Sequence, residues 1–254
     1  MQHAPTDLAE EVQTELALRC DLAACYRLIA HFGWDDLVAN HISVRLPGPE
    51  HHFLLNPYGL MFGEITASSL VRVDLDGNVL SDTPYGINKA GYVIHSAVHG
   101  IRPDVRCVIH LHTRDGVAVA MTEEGLLPLN QTAMMIIDEI AYHDYEGPAF
   151  NLSERQRLAT NLSSRNLMIL RNHGTMALGR SVPEAFQRLY NLEWACGVQV
   201  RARSMGVPLV TPSKLALERM HNRPKADALR AYAEGRSWPA LLRLLDRTNP
   251  GYQD

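Results

Sequence analysis

The chain has 254 residues, enough for one large α/β domain with a substantial buried core. Its 46% hydrophobic and 20% charged residues and formal net charge of −4 are those of a soluble globular protein, with no basic footprint for nucleic acid. No apolar run approaches the roughly 18 residues of a membrane span. No basic, apolar-cored leader opens the chain, and the four cysteines form no CxxC pair, so reduced thiols, a cytoplasmic location and neither a membrane nor a nucleic-acid partner are expected.

Residues 1–8 read as a loose arm. A helix is predicted over 10–32, where Val12, Leu16, Cys20, Ala23 and Ile29 recur at helical spacing and Gly33 supplies the stop. Short alternating runs at 41–46, 52–56 and 70–74, separated by Pro47-Gly48-Pro49 and followed by Asp76-Gly77-Asn78, predict a β-meander. A helix follows over 88–101, ended before Pro103. Residues 106–112 read as a buried strand, 115–121 as a short helix, and 126–145 as mixed, with a strand near 140–143. Ser153 is placed as the cap of a helix reaching about residue 165. Strands at 167–172 and 175–178 join through His173-Gly174, and Ser181-Val182-Pro183-Glu184 starts a helix running to about residue 205. From Pro212 the chain is Ala- and Leu-rich and helical, interrupted near Arg223-Pro224 and Trp238-Pro239. This gives one domain over 10–210 and a helical C-terminal extension of the same domain over 211–254.

Twelve histidines are a surplus at this length. His110 and His112 stand at i and i+2 in a predicted strand, so both side chains leave the same face of the sheet and can converge on one ion. His173 is the best third ligand: it ends an apolar strand, and Gly174 after it lets the backbone turn sharply and leaves room for a ligand. Neutral imidazoles suit zinc, iron, cobalt or manganese. A histidine in a strand serves equally as a satisfied core residue, and spacing alone leaves both readings open.

The motifs NHISVRLPGPEHHFLLNPYGLMFGEITASSLVRVDLDGN, GYVIHSAVHGIRPDVRCVIHLHT, IAYHDYEG and ILRNHGTMALG, the last followed by EAF, resemble the class II aldolase/adducin family, and its adducin-like branch in particular. The resemblance covers residues 17–205. It implies a three-layer α/β/α fold with a mostly antiparallel central sheet, and a homotetramer with sites at subunit boundaries. It also implies one divalent metal per subunit, zinc first, held by the HxH and NHG histidines, here His110, His112 and His173. In the family's aldolases the metal polarises a carbonyl and enediolate so that a C–C bond is made or broken.

The departures bear on substrate and mechanism. Family aldolases carry a catalytic Glu four residues before the histidine of the helix preceding the HxH strand; counting back from His95 puts Gly91 there. A glycine neither moves a proton nor joins a metal. The phosphate-binding turns are replaced by Ala39-Asn40-His41, Pro57-Tyr58-Gly59 and Asn88-Lys89, which argues against a phosphorylated sugar. Asn40, His41 and Lys89 are the substrate-binding candidates, with Lys89 able to meet a carboxylate or simply to lie in solvent. Family aldolases use a tyrosine as proton donor, for which Tyr142 and Tyr145 are the candidates here. His95 and His99, at i and i+4, either reach behind the metal or pack the helix, and Glu123-Glu124 or Asp138-Glu139 are the acids nearest in sequence that can replace the missing Glu.

The expected function is a metal-dependent lyase on a small, non-phosphorylated, oxygenated or carboxylated substrate. A non-haem Fe(II) oxygenase or oxidative decarboxylase of a 2-keto or 2-hydroxy acid is the alternative, and a non-catalytic adducin-like assembly module is the second.

Overall fold

The computed structural model describes residues 8–48, 50–147, 154–221 and 226–254. Helix α1 spans Leu8–His31 and buries Leu22, Tyr26 and Ile29, three positions at helical spacing. The expected arm lies outside the described residues, save Leu8, which opens α1. Strands β1 (His41–Arg45), β2 (Phe53–Leu55) and β3 (Val71–Val73) form the antiparallel meander that the alternating runs predicted. Then come α2 (Lys89–Ile101), β4 (Cys107–Leu111), α3 (Arg114–Ala120), α4 (Gln131–Ile136), β5 (Ile140–His143) and α5 (Glu154–Leu162). Strands β6 (Leu167–Leu170) and β7 (Gly174–Gly179) lead into α6 (Val182–Ser204), and α7 (Lys214–His221), α8 (Ala226–Tyr232) and α9 (Trp238–Thr248) complete the chain. Ser181 caps α6, its Oγ accepting the Glu184 N–H, as the sequence predicted. Ser153, expected to cap α5, lies outside the described residues.

The seven strands form one sheet in the order β3-β2-β1-β4-β7-β6-β5, and every neighbouring pair is antiparallel except β5 with β6. Alternation along the strands divides the faces. Ile42, Val44, Ile109, Leu111, Ile169 and Ala177 enter the larger core with residues of α1, α6 and α9. Val108, Met168, Leu170, Met176 and Leu178 face the other way, onto α2 and α5. His41, Ser43 and His110 therefore stand on the α2 side, and β1–β4 pairing puts His41 directly opposite His110.

Tyr26 fixes β1 against α1. Its ring packs edge-on to Phe62 at 4.6 Å. Its hydroxyl donates to the Ile42 carbonyl at 2.6 Å and accepts the Ile42 and Asn56 N–H groups at 3.0 and 3.1 Å. Truncating such a ring typically costs about 3–5 kcal/mol, and here it would also unpin the strand that carries His41.

Three differences from the sequence reading have local causes. Helix α4 was not predicted because six residues show too little periodicity, although Asn130 caps it by accepting the Ala133 N–H. His112 lies one residue past the end of β4. The helix expected to break at Trp238-Pro239 instead continues, because residues Ala233–Ser237 widen into a π-helical turn that makes room for the proline ring. Trp238, Leu245 and Tyr252 enter the larger core, and Arg27 binds the following chain through Asn249 Oδ1 at 3.0 Å and the Gly251 carbonyl at 3.2 Å. Among the described residues no helix is long and apolar enough to cross a membrane.

Candidate metal centre

Strand β4 delivers His110, the first residue after its end is His112, and the turn between β6 and β7 delivers His173. The three Nε2 atoms form a near-equilateral triangle, with His110 to His112 at 3.0 Å, His112 to His173 at 3.1 Å and His110 to His173 at 3.3 Å. An ion at about 2.1 Å from each nitrogen would see them separated by angles of about 90–105°, within the range of tetrahedral and facial octahedral sites.

The outer ring nitrogens decide what faces inward. His110 Nδ1–H donates to the Thr175 carbonyl at 3.0 Å, and His112 Nδ1–H donates to Asp36 Oδ2 at 3.2 Å. In the neutral imidazole the opposite nitrogen then carries a lone pair. Lone pairs about 3 Å apart repel unless a cation sits between them, so the donor set fits a metal and does not fit a self-contained hydrogen-bond cluster. Carbonyl and carboxylate partners of this kind fix tautomer and ring orientation in metal sites generally. Burial pushes the His110 pKa well below the ordinary imidazole value, with His41 and the other two rings adding to the effect. Burial, then His112, brings His173 down to about 4. Those two rings are thus held in the neutral form that can ligate.

Asn172 and Gly174 shape the turn differently from what the sequence suggested. The left-handed residue is Asn172, at φ 57°. Gly174 is needed for space instead: a Cβ there would collide with the Leu111 carbonyl and lie 3.1 Å from His112 Cδ2.

A second set of buried imidazoles adjoins the triangle. The His41 ring lies 5.0 Å from the His110 ring, and His41 Nδ1 meets His95 Nε2 at 2.6 Å. Ser43 Oγ joins His95 Nδ1 at 2.5 Å and His99 Nε2 at 2.8 Å. Burial brings both His95 and His99 down to about 3, with His99 and Arg45 respectively adding to the fall. His95 and His99 thus pack beneath the centre as one buried polar chain. Gly91 is part of the same arrangement, since a Cβ on it would lie 2.5 Å from His41 Nε2 and closer still to Cδ2. The space beside residue 91 is filled by the His41 ring.

Asn40 is fully buried; its Oδ1 accepts the Asp36 N–H at 2.8 Å, which steadies the loop that orients His112, and its Nδ2 has no partner among the described residues. Lys89 opens α2 exposed to solvent. Tyr145 stands at the rim, half-exposed, its ring 6.2 Å from that of His173. Tyr142 is not brought to the imidazoles: it packs with the larger core, on the sheet face opposite His110, and its hydroxyl accepts the Leu126 N–H at 3.0 Å. The acidic pairs are placed elsewhere too, Glu124 pairing with Arg203, Asp138 with His221 and Glu139 with Arg188. Asp36 gave no signal in the sequence, lying in a loop 76 residues from the histidine it orients.

Comparisons with known proteins bear on the family and the fold. The family model described as the Class II Aldolase and Adducin N-terminal domain matches residues 20–200. An aldolase II superfamily protein from Pseudomonas syringae superposes with a TM-score of 0.88 at 45% identity, over 94% of this chain and 96% of that one. An L-fuculose 1-phosphate aldolase from Glaciozyma antarctica superposes with a TM-score of 0.84 at 26% identity, over 99% and 97% of the two chains. Alpha-adducin of Rattus norvegicus is 41% identical over 252 residues, which are 94% of this chain and 34% of the adducin.

Proposed function

The protein belongs to the class II aldolase and adducin family, and on that premise we propose that it is a metal-dependent carbon–carbon lyase. Its substrate in this reading is small, non-phosphorylated, and carboxylated or otherwise oxygenated. The observation that supports it is the triangle of Nε2 atoms whose outer nitrogens on His110 and His112 are committed to the Thr175 carbonyl and Asp36. A divalent ion held there, zinc first and iron, manganese or cobalt as alternatives, would supply Lewis-acid polarisation of a carbonyl or carboxylate.

The chain's own residues divide the remaining work. Three neutral ligands leave the site's double positive charge undiminished, which favours an anionic substrate that chelates through two oxygens. Asn40 Nδ2, buried without a partner among the described residues, would donate to one of those oxygens. Lys89, at the exposed start of α2, meets the substrate's carboxylate. Tyr145 holds a proton at its phenolic oxygen on the open side of His173, where the reacting carbon would be reached. His41 takes the room of a residue-91 side chain and closes that side of the pocket. Assembly as a homotetramer follows the family pattern.

Elemental analysis of the purified protein tests the reading. Wild type is expected to carry about one transition-metal ion per chain, and His112→Ala to carry little, because two imidazoles and no third ligand bind weakly. Wild type that neither contains nor takes up such an ion would refute it. Iron in place of zinc, with oxygen uptake during turnover, would move the protein to the oxidative alternative. The second reading, a non-catalytic assembly module, is favoured by the identity to alpha-adducin and by the glycine at 91; metal-free protein with no measurable affinity would select it.

A further inference from the structure

On the α6 side of the sheet, behind the imidazoles, lies a buried carboxyl with no cation beside it among the described residues. Glu193 is 5% exposed. Its Oε2 accepts the Thr113 hydroxyl at 2.5 Å and its Oε1 accepts the Thr175 hydroxyl at 3.0 Å. Among the described residues no lysine or arginine pairs with it. Burial pushes the carboxyl up to about 7, against the pull of the two hydroxyls, and Asp115 raises it further. An acid held this way costs stability that an apolar residue of similar volume would not.

What its two partners share is the metal centre. Thr113 directly follows His112 and caps α3, its hydroxyl accepting the Gly116 N–H at 3.1 Å. Thr175 comes two residues after His173, and its carbonyl is the acceptor for His110 Nδ1–H. One carboxyl thus fastens together the two segments that bear all three imidazoles. The junction is close-packed: a Cβ on Gly116 would lie 2.5 Å from Thr113 Oγ1 and 3.2 Å from Glu193 Oε1.

Resting on the reading of the triangle as a metal centre, we propose that Glu193 is its positioning residue. Through Thr113 and Thr175 it holds the β4–α3 junction and the start of β7 at the separation where the three Nε2 atoms converge. It touches neither ion nor substrate and acts only through those two hydroxyls.

Cobalt(II) is the probe: its affinity is read by chelator competition and its coordination by the visible absorption of the loaded protein. Glu193→Ala should bind about tenfold more weakly, in the range of changes behind metal ligands, with an altered visible band. Glu193→Gln should recover most of the affinity, since its amide oxygen accepts one hydroxyl and its NH₂ donates to the other oxygen. A purely structural role predicts neither the spectral change nor this rescue. A folded alanine variant with wild-type affinity and spectrum overturns the proposal, and so does a glutamine variant as weak as alanine. Should the alanine variant fail to fold, Glu193→Leu fills the volume without accepting a bond, and wild-type affinity in it is equally fatal. Wild-type protein that takes up no cobalt would instead sink the metal reading, and this inference with it.

Discussion

Replacing Gly91 by alanine separates two physical effects of opposite sign. In an ordinary helix the change stabilises by roughly 0.5–1 kcal/mol, because glycine loses more backbone freedom on folding. Here the new methyl would stand 2.5 Å from His41 Nε2, about 1 Å inside ordinary carbon–nitrogen contact. The ring has little freedom to retreat: it is buried, bonded to His95 at 2.6 Å, and backed by His110. Overpacking of this kind costs about 1–3 kcal/mol, so the net change should be a loss of about 1–2 kcal/mol. For a chain of this size that is a fall in Tm of roughly 2–8 °C. The assay is thermal and urea unfolding with metal chelated and protomer concentration fixed. In a His41→Ala background the same alanine should become neutral or stabilising, giving a coupling of about 1–3 kcal/mol across the cycle. A Gly91→Ala variant as stable as wild type, or an equal penalty in both backgrounds, would refute the argument. The same packing predicts that Gly91→Glu alone does not restore a family-type acid, because His41 must first be made small.

Gly174→Ala should lose metal and about 2 kcal/mol or more of stability, because its Cβ meets the Leu111 carbonyl, which is backbone, rather than a flexible side chain; metal content and urea midpoint measure it, and unchanged values count against the stated role of the glycine. Asp36→Ala should weaken metal binding by about tenfold while the metal-free unfolding midpoint hardly moves, since Asp36 is largely exposed and its partner is His112; wild-type affinity would show that the carboxylate does not orient the ring. The metal-free protein should be acid-labile. His41, His95, His99, His110 and His173 have folded pKa values below the ordinary 6.5, so the unfolded chain takes up protons that the folded one refuses, and stability present above about pH 6.5 is lost as pH falls toward 4. Glu193, raised to about 7, opposes this with one proton between about pH 4.5 and 7. Urea midpoints at several pH values should therefore fall steeply on acidification, and a flat profile between pH 7 and 5 would contradict the buried neutral rings.

Much of the fold was legible because local pattern and tertiary outcome agree. The meander showed in alternation broken by turn residues, and α6 in its Ser-x-Pro-Glu start. Two of the three ligands were visible through the i, i+2 rule alone, which survived even though His112 falls beyond the end of β4. Contacts that depend on register across the sheet were not visible. His41 and Gly91 are 50 residues apart, and nothing in either segment announces that one fills the other's space. Tyr142 and Tyr145 looked equivalent in sequence; strand alternation turns Tyr142 into the larger core and leaves Tyr145 past the strand end, beside His173. Glu193 and Asp36 carried no signal because an acid in a helix or loop is ordinarily solvated, and only the folded chain brings one to two threonines and the other to an imidazole.

On the proposed reading, the site keeps the Lewis-acid part of the family's chemistry and replaces the part that moves protons beside residue 91. These are one structural exchange, because the ring of His41 can occupy its place only if residue 91 has no side chain. An imidazole there is neutral at ordinary pH, as burial drives its pKa well down. The pocket therefore lacks the negative charge that a glutamate would bring next to an anionic substrate. On electrostatic grounds alone, such a pocket should hold a carboxylated chelator more tightly than a family site with glutamate at that position. A carboxylate pair a few ångströms apart at intermediate dielectric repels by several kcal/mol, and removing it should shift selectivity from neutral sugars toward acids. Competition of oxalate against glycolaldehyde for the cobalt-loaded protein measures that preference. Equal affinity for the two would mean that the loss of the acid did not reshape the pocket's charge.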